Sequence, residues 1–217
     1  MKKGAVIVET RIIANLFEII QERHMKYIPN DWGLTIFLSE KNKHLVSKEM
    51  FDRDVKIIII KNDTFSVQDY NILLTSRDFW NSIDYDKILI FQTDSRILRY
   101  GIEDFLHYDY CGAVWSFQQH GGNGGFSLRT KQKMLDVINL KSYDCSTDGN
   151  EDIYFSNYLA NVGGNLAPRE ECQKFSVESV FSLGSLGIHA IEKWLTKEQC
   201  EQILNQYKVG KLFIRKT

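Results

Sequence analysis

Four short stretches of this chain are apolar without alternation: residues 5–8, 34–38, 55–60, which includes four consecutive isoleucines, and 88–91. A strand with one wet face alternates apolar and polar side chains. A run that does not alternate suits a strand covered on both faces, as in a parallel sheet. Between these runs lie segments of helical period. Ile12, Ile13, Leu16, Phe17, Ile19 and Ile20 recur at helical spacing, and Arg11, Glu18, Glu22 and Arg23 fall largely elsewhere. Thr64 or Ser66 is placed to cap the next helix, which carries Tyr70, Leu73, Leu74 and Phe79. The order strand, helix, strand, helix predicts an α/β fold with a right-handed crossover.

The second half reads differently. Residues 111–115 predict a strand, followed by the cluster Gly121-Gly122-Asn123-Gly124-Gly125. Phe126-Ser127-Leu128 leads into a predicted helix over about 130–139. A further helix is predicted over 151–160, stopped by Gly163-Gly164. Thr196-Lys197-Glu198-Gln199 is a capping-box pattern that opens a final helix. With two prolines and no repeat or low-complexity segment, one domain over 1–217 is the simplest organisation.

Composition narrows the function. Lysine and arginine number 27 against 28 acids, a net charge of −1, and no basic stripe occurs. Nucleic-acid binding by electrostatics is therefore disfavoured. Cys111, Cys145, Cys172 and Cys200 form no C-x-x-C pair, which excludes a zinc ribbon or thioredoxin motif and reads as free thiols in a reducing compartment. The first apolar run is too short for a signal peptide or a membrane span, so a soluble, cytoplasmic protein is expected.

Four constellations carry candidate chemistry. Phe91-Gln92-Thr93-Asp94-Ser95 follows the fourth run directly. It is either a polar turn or a place where a carboxylate holds a divalent cation against phosphate, because ligands of open α/β sheets sit at strand carboxyl ends. Gly122-Asn123-Gly124-Gly125-Phe126-Ser127-Leu128-Arg129 matches neither a dinucleotide fingerprint nor a P-loop. It is either a turn or a backbone that approaches a ligand closely. In Asp148-Gly149-Asn150-Glu151-Asp152, Asn150 is an N-cap candidate, and the acids suit a helix N-terminus on dipole grounds alone or hold a general base. His189, after a glycine-containing loop, is either a satisfied histidine or one that reaches a metal.

Taken in order, residues 88–95, 108–115, 122–129 and 150–152, with Val8-Glu9-Thr10-Arg11 at the start, resemble a group of GT-A-like glycosyltransferase domains. That group occurs in bacterial polysaccharide loci and in large DNA viruses that glycosylate their capsids. The resemblance spans most of the chain. It implies a GT-A-like, Rossmann-like three-layer fold with a mainly parallel central sheet, donor binding by the N-terminal half and acceptor binding by the C-terminal half. It implies that Asp94 holds Mn²⁺ or Mg²⁺, that His189 completes the coordination, and that Thr10, Arg11 and Arg77 lie near the nucleotide. Asp152 is implied as the base of an inverting transfer, with Glu151 as its competitor. Gln92 departs from the family's D-x-D element; an amide there can still bind a ribose hydroxyl.

The function expected is transfer of a sugar from a nucleoside diphosphate sugar, UDP-linked by preference, to a hydroxyl of a glycan. Trp115, Asn123, Gly124 and Gly125 would shape the sugar and acceptor pocket. A viral setting would put the protein in the host cytoplasm. Two rivals stand beside this reading: a non-catalytic glycan- or nucleotide-binding module, kept open by Gln92, and a nucleotidyltransferase, disfavoured because Glu9-Thr10-Arg11 is neither glycine-rich nor strongly basic.

Overall fold

The computed structural model describes residues 1–63 and 65–208. In chain order its main elements are β1 (Lys3–Val8), α1 (Leu16–Arg23), β2 (Gly33–Ser39), β3 (Val55–Ile60), α2 (Val67–Leu74), α3 (Arg77–Asn81) and β4 (Lys87–Phe91). There follow β5 (Ser95–Ile97), β6 (Tyr110–Gly112), β7 (Phe126–Thr130), α4 (Lys131–Leu140), α5 (Glu151–Tyr158), α6 (Arg169–Phe175), β8 (Ser176–Val177), β9 (Gly187–His189) and α7 (Lys197–Gln206).

Six strands form the central sheet in the order β3-β2-β1-β4-β7-β6. The first four run parallel; β7 is antiparallel to both β4 and β6. Ala5 and Ile7 of β1, with Leu89 and Phe91 of β4, enter one apolar cluster with Leu16 and Ile20 of α1 and Phe175 of α6. Val6, Ile88 and Ile90 enter the other, with Phe79 and Trp80 of α3, Met134 and Val137 of α4, and Tyr154 and Phe155 of α5. Both faces of β1, β2 and β4 are thus covered, which is why their apolar runs do not alternate, whereas β3, at the sheet edge, is only partly covered and leaves Ile59 exposed. This is the expected α/β, three-layer, Rossmann-like arrangement with a mainly parallel sheet. A small second sheet, β5-β9-β8, packs with α7 over a third cluster that includes Leu98, Ile188 and Ile203.

Several boundaries differ from the sequence expectation. The first helix begins at Leu16, not near Ile12, which is 65% exposed. Residues 9–11 are instead held as a loop by Asn42, whose Nδ2 donates to the carbonyls of Glu9 and Arg11. Ser66 caps α2 with a reciprocal bond to Asp69; Thr64, the other candidate, lies outside the described residues. The segment 126–130 is an inner strand of the sheet, between β4 and β6, and β6 stops at Gly112. Helix α5 ends in a 3₁₀ turn over Leu159–Val162, closed by Gly163 at φ 62°. Gln199 and Thr196 form the expected box at the start of α7. Among the described residues no helix is long and apolar enough to cross a membrane.

His24, after α1, is fully buried and stacks on Phe91 with centroids 4.2 Å apart. Its ring nitrogens meet the Ile19 carbonyl and the Ser95 hydroxyl, each at 2.9 Å. Burial pushes its pKa down to about 3. Between about pH 6.5 and 3 the unfolded chain therefore takes up a proton that the folded one refuses, and stability falls with falling pH. Relative to His24→Phe, the wild type is expected to lose about 2 kcal/mol more between pH 7 and pH 5, since each pH unit below 6.5 is worth about 1.4 kcal/mol. Urea denaturation at both pH values measures this; equal losses would contradict it.

Candidate active site

Strands β1 and β4 are neighbours, yet the chain leaves β1 toward β2 and β3 on one side, while β4 leads to the other. Such a reversal opens a crevice at the strand carboxyl ends. Two adjoining cavities lie there. The first, about 260 Å³, is lined by Val8, Glu9, Thr10 and Arg11 after β1, by Gln92, Thr93 and Asp94 after β4, and by residues opening α2. The second, about 280 Å³, is lined by Asn123, Gly124 and Gly125, by Asn150, Glu151 and Asp152, and by Glu178 and His189. Val67, Tyr70, Gln92 and Lys193 belong to both walls.

In the first cavity a buried acid, Glu9, is engaged by Arg11. The guanidinium donates from Nε to Oε1 at 2.8 Å and from Nη2 to Oε2 at 2.5 Å. Nη2 also reaches the Thr93 hydroxyl at 3.1 Å, joining the loop after β1 to the loop after β4. The Arg11 pKa is raised by its bonds to Glu9, against the opposing effect of burial.

Asp94 and His189 are 95 positions apart in the chain but meet because β5 pairs antiparallel with β9, setting Ser95 opposite His189. Ala190 then adopts φ 48° and donates its amide to the Asp94 carbonyl at 2.9 Å. The left-handed conformation is costly for a residue with a side chain, so the surrounding contacts must hold it. It turns the chain into the short helix Ile191–Lys193, which carries Lys193 back to within 3.3 Å of Asp94 Oδ2.

His189 Nε2 lies 3.4 Å from Asp94 Oδ1 and 3.3 Å from Gln92 Oε1. Its Nδ1 lies 3.1 Å from Glu178 Oε1. Burial works against a charged ring, but the bonds and charges of Asp94 and Glu178 outweigh it and raise the pKa to about 9. A cation would have to displace the proton on Nε2; that nitrogen, with the neighbouring carboxylate oxygen of Asp94 and amide oxygen of Gln92, would then be a donor set compatible with Mn²⁺ or, with more oxygens from a ligand, Mg²⁺. Among the described residues no three His, Cys, Asp or Glu side chains form a cage, so a cation here would lean on Gln92 and on its ligand's oxygens.

The second cavity is built on a buried ion pair. Arg129, on β7, is fully buried and forks onto both oxygens of Glu151, Nη1 to Oε2 at 2.5 Å and Nη2 to Oε1 at 2.9 Å. Its Nε donates to Ser127, and the guanidinium lies 4.7 Å from the Tyr110 ring centroid. Glu151 opens α5, and its amide donates to Asn71 Oδ1 from α2, which replaces the side-chain cap that Asn150 does not provide.

The adjacent Asp152 points elsewhere. It is half-buried, with Oδ2 accepting from the Gly124 amide and Oδ1 from the Ile153 amide, each at 2.9 Å. Burial first, and the neighbouring Glu151 charge second, raise its pKa to about 7. The glycines beside it are required by protein atoms: a Cβ on Gly124 would stand 2.3 Å from Glu151 Oε1, and one on Gly125 would stand 2.1 Å from His189 Nε2.

Thr10, Arg11, Gln92, Asp94, Asn123, Gly124, Gly125, Glu151, Asp152 and His189 therefore converge. Two expected residues do not. Arg77 is exposed at the start of α3, after α2 has run away from the crevice, and lines neither cavity. Trp115 is 4% exposed and also outside both walls; it stacks beneath Phe117, the ring its loop offers to solvent. Glu9, Tyr70, Glu178 and Lys193 were not expected in these roles. Glu9 follows an apolar strand as Asp94 follows β4, so the same reading reaches it; the other three carry no local signal.

No curated protein sequence matches the chain. A family model described as "Protein of unknown function (DUF5672)" matches residues 54–189, and the chain belongs to that family. The matched span ends on His189 and holds every wall residue of the second cavity except Lys193. Among solved structures, the apo form of the glycosyltransferase GlyE of Streptococcus pneumoniae TIGR4 is similar, with a TM-score of 0.56 at 12% identity. The alignment covers 97% of this chain and 61% of that one. At this identity the likeness establishes a glycosyltransferase-like fold.

Removing either partner of the Arg129–Glu151 pair leaves a buried charge. Arg129→Met and Glu151→Leu are each expected to cost about 3–5 kcal/mol, and the double variant less than the sum of the two. A denaturation double-mutant cycle measures the coupling; strictly additive losses would show that the two side chains do not depend on each other.

Proposed function

We propose that this DUF5672 chain is a glycosyltransferase that moves a sugar from a nucleoside diphosphate sugar, a UDP-sugar by preference, to a hydroxyl of a glycan. The observation that carries the reading is the pair of adjoining cavities at the sheet's switch point, one lined by Asp94 and Arg11 and the other by a half-buried Asp152. The glycosyltransferase-like fold supports it.

The nucleotide would occupy the first cavity, with Thr10, Arg11 and Thr93 near its polar groups and Gln92 bonding a ribose hydroxyl. Asp94 and His189, with the Gln92 amide oxygen, would hold Mn²⁺ or Mg²⁺, which when bound supplies positive charge for a leaving diphosphate. Lys193, shared by both walls, would face the same diphosphate and add a second positive charge. Asn123, Gly124 and Gly125 would border the sugar and the acceptor.

Asp152 is the base in this reading. Its carboxylate takes the proton of the acceptor hydroxyl as that oxygen bonds to the anomeric carbon and the bond to the diphosphate breaks. One displacement from the opposite face inverts the centre. Glu151 suits the same role less well, because both of its oxygens are tied to the charged Arg129 guanidinium, whereas those of Asp152 accept only from backbone amides. A base is useful near its own pKa, and a value of about 7 meets that condition.

Hydrolysis of UDP-sugars, with water as acceptor, tests the reading without a known glycan. Wild type is expected to turn over a donor in the presence of Mn²⁺, and no hydrolysis of any nucleotide sugar would favour a binding module. Asp152→Asn is expected to lower turnover by about 10²- to 10⁴-fold while donor affinity by calorimetry stays within a few-fold. The wild-type rate should rise with pH along a limb centred near 7, because the base works only when deprotonated, and Asp152→Asn should lack that limb. NMR of the anomeric proton in a transfer product is expected to show inversion; retention would exclude this role for Asp152.

A further inference from the structure

One buried acid of the second cavity remains without a role. Glu178, just after β8, is 6% exposed, as are Asn123 and His189. Glu178 Oε1 is shared by two donors, Asn123 Nδ2 at 2.8 Å and His189 Nδ1 at 3.1 Å. Asn123 is fixed in turn, its Oδ1 accepting from the Gly125 amide at 3.0 Å. Gly125 lies directly against the His189 ring, where any Cβ would collide with Nε2. The ring is therefore gripped on one nitrogen and bounded on its face, and its other nitrogen looks at Asp94 and Gln92.

An acid on the far nitrogen of a histidine does two things for a cation on the near one. It fixes the tautomer that leaves the near nitrogen's lone pair free, and it raises that nitrogen's basicity. An amide that bonds the acid removes its rotational freedom. A stretch of glycine-rich loop, residues 122–125, would then owe its sequence to holding a side chain as well as to leaving room for substrate.

We propose that Asn123 and Glu178 are positioning residues that orient His189 Nε2 toward a divalent cation shared with Asp94. The proposal rests on the reading that Asp94 and His189 hold such a cation. A purely structural account of the same network exists: a buried carboxylate satisfied by two donors. The two accounts differ in what Glu178→Gln does, since glutamine keeps the acceptor oxygen and removes the charge.

The test is titration of MnCl₂, alone and with uridine diphosphate, followed by the EPR signal of free Mn²⁺, with melting temperature and metal-free nucleotide affinity recorded for each variant. Wild type is expected to bind Mn²⁺ and Asp94→Asn to lose it. Glu178→Gln is expected to weaken Mn²⁺ binding by about 10- to 100-fold, and Asn123→Ala in the same direction. Metal-free nucleotide affinity should stay unchanged. If Glu178→Gln binds Mn²⁺ within threefold of wild type while Asp94→Asn does not bind, the positioning role is overturned and the cation site stands. If Glu178→Gln does not fold, Asn123→Ala decides, and wild-type affinity in that variant overturns the role. Absence of Mn²⁺ binding by wild type overturns the cation site and the positioning role together.

Discussion

The ion pair between Arg129 and Glu151 is the contact on which the C-terminal half of the crevice depends. Both side chains are buried, so each charge is tolerable only beside the other. The pair joins β7 of the central sheet to the first turn of α5. Both Glu151 and Asp152 line the cavity, but that junction decides which of them is tied to a guanidinium. Successive helix residues point about 100° apart, so tying Glu151 to β7 turns Asp152 toward the glycine-rich loop. The same Glu151 charge is one of the two causes of the raised Asp152 pKa. A structural pair thus sets both the direction and the proton affinity of its neighbour.

The other half of the crevice is organised by backbone pairing. Four parallel strands bring the loops after β1 and β4 side by side, and the Arg11 guanidinium bridges them through Glu9 and Thr93. The small sheet then delivers a distant histidine: the register of β5 with β9 sets His189 beside Asp94. The strained turn at Ala190 returns Lys193 over the same carboxylate. The result is a compact group of alternating charges, with Asp94 and Glu178 flanking His189 and Lys193 flanking Asp94.

Much of the fold was legible in the sequence because its signals are local. The four apolar runs became β1 to β4, and the helices at 131–140, 151–158 and 197–206 begin within a residue of where the sequence puts them, the last with its expected capping box. The errors have physical reasons. Ile12 and Ile13 fit a helical period, but Asn42 holds the preceding backbone as a loop. Phe126-Ser127-Leu128-Arg129 alternates like a strand, yet its position just before a helix and after glycines hid it. Trp115 looked like a sugar platform by residue type, and burial beneath Phe117 removed it from the surface.

By itself the sequence did not determine that 55–60 would be the partly exposed edge strand. It determined which segments are the four parallel strands, where several helices begin, and that Asp94 and Asp152 stand at the openings of elements. These follow from periodicity and capping, which act over a few residues. Tertiary structure alone decided that Arg77 stays outside the crevice, that Glu151 is occupied, and that Glu178 and Lys193 join His189 and Asp94. Those outcomes depend on strand order, on the register of β5 with β9 and on one buried ion pair. Each is a contact between residues far apart in the chain, set by packing and charge pairing, and no local pattern encodes it.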